Sequence, residues 1–155
     1  MANHSHIQIG DVYRIPLPDG TFTYCQYVYS HPRMGYLVRV FDLTTTEPLN
    51  SVEQLAGAND RFPPVFVGLR ATVRNGRWIR IGNLKVEDFA FPKFRQTMST
   101  KPGTYHDWRI WDGKETVFIG DLPESLRGLQ LQSVWADMAL ENRIIAGTYR
   151  GDRMF

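Results

Sequence analysis

Short alternating runs of hydrophobic and polar residues fill most of this chain, and glycine-bearing turn pairs separate them. In GDVYRIPLPDGTFTYCQYVY, beginning at Gly10, β-prone residues flank Asp19-Gly20, which supplies the positive φ of a tight turn and predicts a β-hairpin. A two-residue loop sets Leu17 opposite Phe22 and Ile15 opposite Tyr24 on one side, leaving Arg14 and Cys25 on the other. After a loop at His31-Pro32, GYLVRVFDL predicts a third strand, with Tyr36, Val38 and Val40 alternating against Leu37, Arg39 and Phe41. In the connector that follows, Asn50 or Ser51 caps a short helix through Leu55, which Gly57 ends. PVFVGLRATVRNGRWIRIGN carries Asn75-Gly76, the strongest short-range hairpin signal, and predicts a second hairpin. Its apolar face is Val65, Val67, Leu69, Ala71 and Val73, and its turn places Val73 beside Trp78 and Arg74 beside Arg77.

Beyond these, VEDFAFPKFRQ reads as a short extended piece broken by Pro92, followed by the polar loop TMSTKPGTY. DWRIWDGKETVFIGDL predicts another hairpin with its turn at Asp112-Gly113; a longer, bulged turn would shift the register, and the sequence leaves that open. PESLRGL is one or two helical turns. Ser133 to Ala146 reads as the one substantial helix, stopped by Gly147, with Val134, Trp135, Met138, Ile144 and Ile145 as its packed stripe. The tail YRGDRMF is expected to fray. Several short strands with tight turns and one late helix give an α+β class, mainly antiparallel β in an SH3-like or small barrel-like sheet with a C-terminal helix. The expected organisation is a flexible stretch over 1–9, a single domain over 10–147 and a tail over 148–155.

Composition alters this picture little. At 155 residues the chain is long enough for one domain that buries about 68–70% of its unfolded surface. Cys25 is the only cysteine, which excludes an internal disulfide and a thiolate zinc site. MANHSHIQIG lacks the basic-then-apolar pattern of a secretory leader, so the expectation is a cytoplasmic protein. Charge is more informative in its distribution than in its total of +2. Five arginines and no acid lie between Arg61 and Arg80, whereas five acids, with Arg109 and Lys114, lie between Asp107 and Glu124.

Candidate chemistry concentrates in GTYHDWRIWDG, which begins at Gly103. His106 and Asp107 are neighbours, and strand neighbours point to opposite faces, so adjacency argues against a catalytic dyad. The same rule separates Trp108 from Trp111, placing one in the core and the other at least half exposed. No phosphate loop, nucleophile elbow or zinc-protease motif occurs. The amino-terminal Ala2-Asn3-His4 has the form of a planar copper or nickel chelate, but no metal or other cofactor is expected. Two surfaces compete. Tyr105, His106, Trp108, Trp111, Asp112 and Glu115 combine aromatic anchors with acidic groups and suit a protein partner. Arg70, Arg74, Arg77 and Arg80, with Trp78 to stack on a base, would suit nucleic acid as the alternative. A hydrolase centred on His106 is a third reading.

The motifs GDVYRIPLPDGTFTYCQ, LVRVFDL, PPVFVG, RWIRIGNL, FPKFR and GTYHDWRIWDG, continuing into IGDLPESLRGL, resemble the immunity protein 26 family of bacterial polymorphic toxin systems, over about Gly10 to Ile145. The resemblance implies a small cytoplasmic protein that binds a cognate toxin domain and blocks it by occlusion, with no catalysis of its own. It carries over no binding residues.

Overall fold

The computed structural model describes residues 6–99, 101 and 105–155; the Ala2-Asn3-His4 sequence and Gly103-Thr104 lie outside them. The class is α+β, dominated by two sheets. The larger sheet contains β1 (Asp11–Pro16), β2 (Phe22–His31), β3 (Gly35–Val40), β4 (Val65–Val67), β5 (Ile79–Asn83) and β10 (Val134–Trp135) in the order β10-β4-β3-β2-β1-β5. The smaller holds β6 (Phe94–Gln96), β7 (Trp108–Trp111), β8 (Thr116–Gly120) and β9 (Gln130–Leu131) in the order β8-β7-β6-β9. Among the described residues, only the short pairs β10 with β4 and β9 with β6 are parallel. Helices α1 (Leu69–Arg74) and α2 (Asp137–Ala146) complete the layers, with 3₁₀ turns at Val52–Leu55, Glu124–Leu126 and Arg150–Arg153.

The first hairpin forms one residue out of the expected register. Leu17 N–H donates to Thr21 O (2.9 Å) around the loop Pro18-Asp19-Gly20, in which Gly20 takes φ 87°. This three-residue loop pairs Ile15 with Thr23 and Tyr13 with Cys25, so Arg14 shares its face with Tyr24. Tyr13, Ile15, Cys25, Tyr27, Val38, Val40, Val65 and Val67 then form the sheet face that packs on Leu69, Trp78, Leu140 and Ile144 of the helical layer. The opposite face has two covers. Val12, Tyr24 and Phe41 meet the 3₁₀ turn at Val52 and Leu55, which Ser51 caps as expected. Val28, Leu37 and Phe66 meet Phe94 and Trp111 of the smaller sheet.

The expected hairpin at Asn75-Gly76 is absent. Leu69–Arg74 is helical; Asn75 N–H bonds Ala71 O (3.0 Å), Gly76 N–H bonds Val73 O (3.1 Å), and Gly76 at φ 78° ends the helix. The same positive φ that closes a hairpin also terminates a helix. Leu69 and Thr72, three apart, are the buried helical face, while Ala71 is exposed. The following strand, β5, pairs with β1 instead.

The late helix is also shorter than expected, because Val134 and Trp135 pair with Phe66 and Val67 as β10. Its buried residues are Leu140, Glu141, Arg143 and Ile144, whereas Met138, Ile145 and the preceding Val134 are exposed. Two of those four are charged, and both have partners. Glu141 accepts from Trp78 Nε1 (2.9 Å) and Arg77 Nε (2.8 Å), and Arg143 donates to Gln130 Oε1 (2.7 Å) while its guanidinium sits over Phe62 (4.0 Å) and Tyr149 (4.2 Å). Burial draws the Arg143 pKa down. Gly147, at φ 76°, stops the helix as expected.

The tail is ordered. Arg95, buried on β6, donates to Leu129 O (2.8 Å), Met154 O (2.5 Å) and Gly151 O, and Met154 is itself buried against Trp108 and Ile110. Packing of this kind leaves no periodicity in the tail's own sequence.

Candidate functional site

The stretch singled out for its chemistry becomes the β7–β8 hairpin. Its turn has Gly113 and Lys114 at the centre, one residue later than expected. Asp112 N–H donates to Glu115 O (3.1 Å), and Asp112 Oδ1 accepts from the N–H groups of Lys114 (2.9 Å) and Glu115 (2.8 Å). Those backbone donors hold the Asp112 carboxyl below the usual carboxylate range. Gly113 is required twice over: its φ is 98°, and a Cβ there would lie 2.7 Å from Phe91 Cε1. His31, at the end of β2, takes two N–H groups on Nδ1, from Arg33 (3.1 Å) and Met34 (3.2 Å), so its Nε2 donates to Gly113 O (3.0 Å). The hairpin tip is therefore anchored to the larger sheet.

Both tryptophans are in the core, Trp108 at 0% exposure and Trp111 at 6%. The expectation that one of them is exposed fails because β7 is covered on both faces. Trp111 packs with Phe66 and Phe94, and Trp108 with Leu122 and Met154. Tyr105 is half-buried beside Trp108, with ring centroids 5.8 Å apart. His106, Asp112 and Glu115 are exposed. His106 and Asp107 do not pair, although both precede β7 and lie in no strand. His106 Nδ1 lies 2.6 Å from Asp121 Oδ1, both groups being open to solvent, while Asp107 accepts the Thr97 hydroxyl and Met98 N–H (3.0 Å). The Thr97 bond is the main reason the Asp107 carboxyl sits below its ordinary range. Cys25 offers no nucleophile: it is buried, and loss of solvent pushes its thiol pKa well up.

Sequence reasoning missed the residues that most shape this surface. Val117 and Phe118 are 58% and 62% exposed, on opposite faces of β8, and Phe118 lies 5.3 Å from the Arg109 guanidinium. Their apolar, β-prone identity reads as core; exposure follows from β8 being the outermost strand of its sheet, which no local pattern reports.

The fold withdraws the stacking ring from the rival arginine surface and gives three of its arginines protein partners, while the arginines themselves stay at least partly open to solvent. Trp78 is 1% exposed and cannot stack on a base. Arg77 is bound to Glu141, Arg80 Nε lies 2.9 Å from Asp11 Oδ1, and Arg70 Nε donates to the Tyr36 hydroxyl (3.1 Å) from the short helix that replaced the hairpin; Arg74, on that helix, is exposed. Among the described residues, no group of three or more His, Cys, Asp or Glu could hold a metal ion, and no helix is long and apolar enough to cross a membrane.

A family model described as Immunity protein 26 matches residues 8–105. The chain belongs to this family. Membership implies, in general terms, a toxin as partner. The matched segment contains β1 to β6 and ends at Tyr105, so in this immunity protein 26 member the β7–β8 hairpin follows the match and packs back upon it through Trp111 and Phe94. No curated protein and no solved structure matched the chain.

Proposed function

We propose that this protein is the immunity component of a bacterial polymorphic toxin system, acting in the cytoplasm by binding a cognate toxin domain and occluding it, with no chemistry of its own. The observation that carries this reading is the family match over residues 8–105. The contact surface in this reading is the exposed side of the β7–β8 hairpin. His106, Asp112 and Glu115 supply polar and acidic groups there, with Tyr105 at its margin, while Trp108 and Trp111 support it from beneath. Exposed carboxylates beside an apolar strand suit a basic partner, raising association rate and selectivity more than affinity.

In this reading the cognate toxin is the product of a neighbouring gene, and co-expression with it tests the function: the two should co-purify, and the cells should survive only when this chain is present. Reversing Asp112 and Glu115 to lysine should slow association with the toxin by tenfold or more at low salt. Unchanged association would remove the hairpin tip from the interface.

A further inference from the structure

The outer edge of β8 is unpaired among the described residues. β8 bonds only β7, with Trp111 opposite Thr116, Ile110 opposite Val117 and Arg109 opposite Phe118; the register slips only beyond Phe118. Asp112 N–H bonding Glu115 O makes 112 and 115 a hydrogen-bonded pair. Antiparallel alternation then makes Ile110 and Val117 the next such pair and turns the N–H and C=O groups of Thr116 and Phe118 outward. Sheet edges are commonly guarded by proline or by charged side chains. Thr116–Gly120 has neither, and carries exposed Val117 and Phe118 instead.

Resting on the immunity reading above, we propose that this edge takes an extended segment of the toxin as a fifth strand of the smaller sheet, a segment with an apolar middle and basic residues at both ends. Charge complementarity selects this occupant. Glu115 and Asp112 stand at one end of the strand and Asp121, with His106 Nδ1 2.6 Å from its Oδ1, at the other, all exposed; Lys114 is the only Lys or Arg between 112 and 121, and the Arg109 guanidinium lies beside Phe118 at the middle of the strand. A second copy of the chain fits worse. Full antiparallel overlap of two β8 strands, centred on Phe118, sets Glu115 against Asp121 twice, and like charges directly opposite destabilise a strand pair. Main-chain bonds to Thr116 and Phe118 supply affinity, and apolar contact with the exposed Val117 and Phe118 side chains supplies selectivity.

The experiment uses the full chain with the cognate toxin domain that the co-expression test identifies. Thr116→Pro removes one outward N–H without touching the bonds to β7, and Phe118→Lys places a positive charge on the edge. Each should weaken toxin binding at least tenfold in calorimetric titration. In the unaltered chain, the amides of Thr116 and Phe118 should exchange at least tenfold more slowly in the complex, a readout independent of how the variants fold. Retained toxin binding with unchanged exchange at 116 and 118 overturns the docking edge while leaving the immunity function intact. A toxin-free dimer that Thr116→Pro dissociates overturns it in favour of a second copy. Failure of the unaltered chain to bind the toxin at all overturns the functional reading itself, and the docking edge with it.

Discussion

From Arg70 to Arg80 and from Tyr105 to Asp121 the chain presents two stretches rich in charge and aromatic rings, and the fold treats them in opposite ways. In the first, the ring is buried and key charges turn toward the protein: Trp78 and Arg77 converge on the carboxylate of Glu141, and Arg80 meets Asp11. In the second, the tryptophans are buried, but Phe118, His106, Asp112, Glu115 and Asp121 remain in solvent. Two stretches of similar composition therefore play different parts. The first secures the helical layer to the larger sheet, and the second offers a surface. A run of like charge along a sequence makes a surface field only to the extent that the fold leaves it unpaired, as it leaves Glu115 here but not Arg77 or Arg80.

The contrast can be broken by substitution. Its largest consequence is Trp78→Ala, which should cost about 3–5 kcal/mol by urea denaturation because a large ring leaves a closed core. Glu141→Gln comes next, at about 2 kcal/mol, since Arg77 loses its counter-ion and Trp78 Nε1 keeps at best one weaker acceptor. On the other stretch, Phe118→Ala should change stability by no more than about 0.5 kcal/mol; a loss comparable to that of Trp78→Ala would show that the two regions are not different in kind. The smallest effect is one of pH. Folding lowers the Asp107 carboxyl from its ordinary value of 3.8, chiefly through the Thr97 hydroxyl, so its contribution is present above that value and disappears as pH falls through the lower folded one. The melting temperature of Asp107→Asn should therefore fall less steeply than that of the parent below about pH 4.

Much of the larger sheet is legible in the sequence because its strands alternate and its turns carry glycine in a positive φ. The first hairpin, the third strand and the Ser51 cap follow from such local rules, with the hairpin register one residue out because Pro18 lengthens the loop. Asn75-Gly76 misleads for a physical reason: helix ends and hairpin turns ask for the same backbone conformation, and Leu69 and Val73, four apart, fit a helical spacing as well as an alternating one. The late helix is blurred because Glu141 and Arg143 are buried in pairs that an apolar stripe cannot register. At the candidate site His106 and Asp107 go to separate partners, Asp121 and Thr97, but both precede β7, so strand alternation is not what parts them. Alternation misplaces the tryptophans, because exposure depends on what covers each face. Covering layers and sheet edges are set by contacts distant in sequence, which is why Phe118 reads as core and the tail as loose.

The Arg95 clamp bears on how such a chain can be cut and rejoined. Arg95 lies inside the family-matched stretch, yet its guanidinium is satisfied by carbonyls at 129, 151 and 154, all beyond it. A fragment ending at Tyr105 would leave a buried cation bare and the Phe94 side of the smaller sheet without Trp111. The recognisable family segment and the unit that folds are thus of different length. A crossover that replaced the tail of this chain would have to bring carbonyls back to the same three places around the Arg95 guanidinium.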